Sequence, residues 1–70
     1  GKNMTISLKS ARVNSKLTQE EAAKKIGVSK NTLLNWERGK SFPDVIKIRM
    51  IEKVYNISYN DIDFLPKNYT

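Results

Sequence analysis

The chain has 70 residues, with 13 Lys and Arg against 7 Asp and Glu for a formal net charge of +6, and neither His nor Cys. That length carries one small domain, and without cysteine it must hold together by helix packing, with no disulfide or thiolate metal site. The missing imidazole and thiol argue against an enzyme, and the basic balance favours a polyanionic partner, although the same charge also keeps a small domain soluble.

Gly1, Lys2 and Asn3 precede Met4, so residues 1–4 read as a disordered or cloning-derived N-terminus. The domain is expected over 5–65. Thr5 or Ser7 can cap a first helix running to about Asn14, with Leu8, Ala11 and Val13 facing inward. Arg12 lies on this helix. Leu17 then sits just before a cap at Thr18, where it can staple against the next helix.

Thr18 and Glu21 form a capping-box pair, and Ala22, Ala23 and Ile26 recur on one face of the second helix. Gly27 supplies the left-handed residue that ends it. Ser29 can cap a third helix over 30–38, with Leu33 and Trp36 inside. Lys30, Asn31, Thr32 and Asn35 are left on its outer face, and all four can hydrogen-bond. Leu34 lies beside them and either folds against the neighbouring helix or meets a thymine methyl.

Gly39 is a second left-handed stop, and Phe42 is expected to plug the core beneath the following loop. Pro43 and Asp44 start a fourth helix reaching Tyr55. Val45, Ile48, Ile51 and Val54 trace one stripe along it, while Ile46 and Met50 lie on another face. Two apolar residues off the core mark a partner surface, so Ile46, Met50, Tyr55 and Tyr59 are the candidate dimer residues. Asn56 can end the helix. Ser58 then caps a last short helix with Asp61 at the capping-box position, and Ile57, Ile62 and Leu65 close the core. Residues 66–70 read as a flexible tail.

Two helices joined at Gly27, the second with a polar outer face, have the geometry of a helix-turn-helix over about 18–39. The second helix of such a pair enters the DNA major groove and meets base edges with its N-terminal residues. Ser29, Lys30, Asn31, Thr32 and Asn35 are therefore the candidate base contacts. Asn matches adenine N6 and N7, and Lys matches guanine O6 and N7. Arg38, Lys40 and Ser41 would flank the groove and hold phosphate.

The motifs resemble a known family. Leu17-Thr18-Gln19-Glu20-Glu21, Ile26-Gly27-Val28-Ser29, Trp36-Glu37-Arg38-Gly39-Lys40 and Pro43 are similar to the Cro and phage-repressor helix-turn-helix family, the xenobiotic-response-element-like regulators. The resemblance spans roughly 8–65. It implies an all-α, five-helix, lambda-repressor-like domain that binds DNA. It also implies that Gln19 holds a phosphate and buttresses the third helix. Finally, it implies that Arg12 pairs with Glu37, clamping the first helix to the third and turning Arg12 towards a phosphate. Without the resemblance, Gln19 reads as a solvated first-turn residue and the ion pair as two surface charges worth little.

The expected function is a sequence-specific double-stranded DNA-binding regulator, chiefly a repressor, of a phage, mobile element or bacterial operon. It would act as a homodimer on a palindromic operator, monomeric when free, with recognition helices about 34 Å apart. The alternative is an antitoxin or adaptor module in which DNA contact is secondary. No cofactor, metal or membrane partner is expected, and no stretch is apolar enough for a membrane span or signal peptide. A cytoplasmic location follows as an expectation.

Overall fold

The computed structural model describes residues 5–64. The expectations for residues 1–4, for Leu65 in the core and for the 66–70 tail lie outside the described residues. Strand β1 (Ile6–Ser7) leads into helix α1 (Leu8–Asn14). Helices α2 (Gln19–Ile26), α3 (Lys30–Glu37) and α4 (Val45–Tyr55) follow, then a 3-10 turn at Tyr59–Asp61 and strand β2 (Ile62–Asp63).

Each helix starts where a side-chain oxygen can take up free backbone N–H groups. The Ser7 hydroxyl accepts from the Ser10 N–H at 3.0 Å. Thr18 and Glu21 make the reciprocal capping box, at 3.1 and 2.9 Å. Ser29 accepts from Thr32, and Asp44 from Lys47. The ends are equally local. Gly27 and Asn56 close α2 and α4 in the left-handed region. After α1 that conformation falls on Lys16, with φ 61°, an uncommon choice for a residue with a side chain.

The core is Leu8 and Ala11 from α1, Ala22, Ala23 and Ile26 from α2, Leu33 and Trp36 from α3, Ile51 and Tyr55 from α4, and Ile62 from β2. The two alanines have almost no exposed surface, and their small size lets α2 approach its neighbours closely. Parallel pairing of Ile6 with Ile62 and Ser7 with Asp63 joins the two ends of the described chain.

Several sequence expectations are corrected. The fifth helix is a single 3-10 turn, closed by the Asp61 N–H donating to the Ser58 carbonyl at 2.9 Å. Ser58 does cap it, its hydroxyl accepting the Asn60 N–H at 3.3 Å, while the Tyr59 N–H goes to the Glu52 carboxylate, and Ile62 then turns extended to pair in the sheet. Phe42 is 57 % exposed, because Pro43 takes the buried position in that loop. Val13 points outward. On α4 the inward pair is Ile51 and Tyr55, four residues apart, so the stripe rotates Val45 into solvent and draws Tyr55 into the core. At 5 % exposure Tyr55 is not a dimer-surface residue.

Tyr55 also carries a buried hydroxyl with no hydrogen-bond partner among the described residues. Burial, and secondarily the Glu37 carboxylate, push its pKa from 10.0 up to about 12, against a smaller opposing effect of Arg12. An acid whose pKa rises on folding holds its proton longer in the folded state. Stability from this group is therefore complete below pH 10 and is lost as pH rises towards 12. Tyr55→Phe is expected to remove that part of the alkaline slope in urea titrations. It should leave the neutral-pH midpoint unchanged or higher, since an unpaired buried hydroxyl goes with it. An identical slope in the variant would show that other groups control alkaline unfolding.

Candidate nucleic-acid interface

The surface centres on α3. Leu33 and Trp36, three residues apart, anchor one face in the core. That places Lys30 and Asn31 in solvent, with Thr32 and Asn35 half-buried beside them. Asn31 and Asn35 are one turn apart and stand on the same side of the helix. Leu34 is half-buried, partly packed on the protein. The Ser29 hydroxyl accepts the Thr32 N–H and donates to the Thr32 hydroxyl at 3.0 Å. Ser29 is thus committed to the cap, whereas Thr32 keeps its own O–H to donate outward.

The turn after α3 is built by two backbone bonds. Gly39 N–H donates to the Trp36 carbonyl and Lys40 N–H to the Asn35 carbonyl, with Gly39 at φ 76°. Arg38, Lys40 and Ser41 are exposed there, at the C-terminal edge of α3.

Behind this surface lies a buried polar knot. Arg12 Nε donates to Glu37 Oε2 at 2.7 Å and Nη2 to Oε1 at 3.4 Å. The two side chains are 9 % and 4 % exposed. Arg12 Nη1 donates to the Leu17 carbonyl at 3.0 Å, and Gln19 Nε2 donates to Glu37 Oε1 at 3.3 Å. One carboxylate at the end of α3 therefore holds α1 and the first residue of α2, and Arg12 in turn holds the α1–α2 loop. Arg12 is itself buried, and each of its three nitrogens makes a hydrogen bond inside the protein. Gln19, half-buried at the start of α2, keeps one amide hydrogen outside this knot.

One contact at this surface was not foreseen. Glu20 Oε2 lies 3.9 Å from Lys30 Nζ. The two residues are ten apart on different helices, so no helical spacing announces them. Of the proposed partner residues, Ile46 and Tyr59 are exposed and Met50 is half-buried against the core. Among the described residues no helix is long and apolar enough to cross a membrane. The same residues contain no group of three His, Cys, Asp or Glu side chains that could hold a metal ion.

The helix-turn-helix family model matches residues 8–62, which takes in every helix described above. The chain belongs to the helix-turn-helix family of the Cro and phage-repressor type. This helix-turn-helix chain is 29 % identical over 55 residues to the HTH-type transcriptional activator BcrR of Enterococcus faecalis, covering 79 % of itself and 27 % of that protein. It is 40 % identical over 55 residues to an HTH-type transcriptional regulator of Methanocaldococcus jannaschii, covering 79 % and 83 % respectively. It is 38 % identical over 50 residues to the cryptic phage CTXphi transcriptional repressor RstR of Vibrio cholerae, covering 71 % of itself and 45 % of the repressor. No solved structure matches the chain significantly.

The knot gives a direct test of what fixes α3. Arg12→Met leaves the Glu37 charge buried and unpaired, at an expected cost of roughly 3–5 kcal/mol. Combining it with Glu37→Met removes the stranded charge and is expected to restore much of that loss. Denaturant unfolding of the two variants decides the matter. An unchanged midpoint for Arg12→Met alone would rule out the clamp.

Proposed function

We propose that the chain is a sequence-specific DNA-binding transcriptional regulator that lays α3 in the major groove of double-stranded DNA. The observation that carries this reading is the outer face of α3. Lys30, Asn31, Thr32 and Asn35 share one side of a helix whose other side is locked by Leu33, Trp36 and the Glu37 knot. Lys30 suits guanine O6 and N7, and Asn31 and Asn35 suit adenine N6 and N7. Thr32 donates to a base or a phosphate. Gln19 with its remaining amide hydrogen, and Arg38, Lys40 and Ser41 at the other edge, set the register on the phosphates. Ser29 contributes by capping α3 at the groove edge.

One recognition helix reads only a few base pairs, so the regulator acts as a homodimer on a palindromic operator. The dimer surface includes Ile46, Met50 and Tyr59. Exposed Phe42 and Val45 extend it, beside a groove of about 390 Å³ that Phe42, Pro43, Ile48, Tyr59, Ile62 and Phe64 help to line. Exposed apolar side chains gathered in this way suit a second protein surface. Operator occupancy then excludes other proteins from the same DNA, which makes repression the simplest outcome. The relatives include both an activator and a repressor, so the sign of regulation depends on where the operator lies. An adaptor with secondary DNA contact is the weaker reading, since it has no use for four hydrogen-bonding side chains on one exposed helical face.

Selection from random duplex DNA, followed by affinity measurements at two salt concentrations, tests the proposal. A regulator enriches a palindrome and binds it far more tightly than random DNA. Weak binding to every sequence that collapses steeply with salt would reduce the interaction to phosphate attraction. On the selected site, Lys30→Ala or Asn31→Ala is expected to cost roughly 1–3 kcal/mol and to relax base preference. Equal losses on all sequences would remove these residues from base reading.

A further inference from the structure

Glu20 stands in the first turn of α2, where the helix dipole favours an acidic side chain, and it also lies beside the residues that would meet DNA. Glu21 closes the α2 capping box, Asp44 caps α4, Glu52 holds the Tyr59 N–H, and Glu37 is enclosed by Arg12. Glu20 instead lies with its carboxylate 3.9 Å from the Lys30 ammonium, at the start of α3. The two side chains are 78 % and 53 % exposed, respectively. A pair that open to water is weak and exchanges readily.

We propose that Glu20 is a specificity-determining residue, which withholds the Lys30 ammonium from the phosphates of non-cognate DNA and yields it to a guanine edge. This inference rests on the DNA-reading role of α3. On the wrong sequence, Lys30 has only phosphates to turn to, and each lysine–phosphate contact adds counterion release to non-specific binding. Glu20 competes for that ammonium and keeps it at the groove side of α3. On the right sequence, Lys30 exchanges one weak, solvated partner for guanine O6 and N7, which hold it in a fixed direction. The carboxylate therefore lowers affinity mainly where Lys30 has nothing to read. Specificity is a difference of affinities, and a group that opposes the wrong partner raises it as surely as one that attracts the right partner.

The test compares wild type, Glu20→Gln, Lys30→Met and the double variant on the selected duplex and on a random duplex, each at two salt concentrations. Thermal melts confirm that all four are folded, which the exposure of both side chains leads one to expect. Glu20→Gln should tighten random-duplex binding by roughly two- to fivefold and steepen its salt slope by less than about one unit. Binding to the selected duplex should change by less than about twofold, so the specificity ratio falls. In the Lys30→Met background, Glu20→Gln should lose most of its effect on random DNA. Equal tightening on both duplexes, or the same gain with Lys30 absent, would overturn the proposal and leave Glu20 a plain repulsive charge. A wild-type protein that does not discriminate between the duplexes would overturn the DNA-reading role itself, and this inference with it.

Discussion

Glu37 is the constraint on which the rest of the domain depends. Its carboxylate takes three hydrogen bonds from two other elements, and Arg12 Nη1 donates to the Leu17 carbonyl. A buried ion pair is weak evidence of net stability, because desolvation offsets much of the attraction. What the arrangement does secure is direction. Apolar contacts from Leu33 and Trp36 alone would let α3 slide or roll by small amounts at little cost. Hydrogen bonds from Arg12 and Gln19 tolerate far less displacement. A helix that must present side chains to base edges needs that kind of restraint.

The hydrophobic part of the fold is correspondingly economical. Two alanines with nearly no exposed surface let α2 sit close to its neighbours, and one tryptophan supplies most of the bulk beneath α3. Apolar side chains are left exposed at Val13, Phe42, Val45 and Ile46. Val45 and Ile46 lie at the start of α4, and Phe42 just before it.

The features legible in the sequence are the local ones. Thr18 with Glu21, Ser29, Asp44, Gly27 and Asn56 announce helix ends, because a cap acts within three or four residues. Leu33 and Trp36 declare the inner face of α3 by spacing, which leaves the polar residues outside. The pair of Arg12 with Glu37 joins positions far apart in the chain, and it was accessible only through the family resemblance. Other long-range facts had no signal. Lys30 finding Glu20 depends on how α2 crosses α3. Tyr55 turning inward depends on a slow rotation of the α4 stripe, which a spacing of three does not resolve. Two-residue strands are too short to show alternation, so the pairing of Ile6 with Ile62 was invisible, and the segment after Ser58 read as a helix.

That short parallel pairing bears on how the molecule forms and opens. The α2–α3 pair joins neighbours in the chain and can assemble quickly, since little loop entropy is spent in bringing them together. Ile6 and Ile62 come from opposite ends, so their contact closes almost the entire chain and must wait for the helices to dock. It has only two residue pairs to hold it. Such a clasp closes late and releases early, well before global unfolding. Ile62 nevertheless shares the buried core with Ala22, Ala23, Ile26, Leu33 and Trp36, so opening of the clasp is felt by the α2–α3 unit through that core.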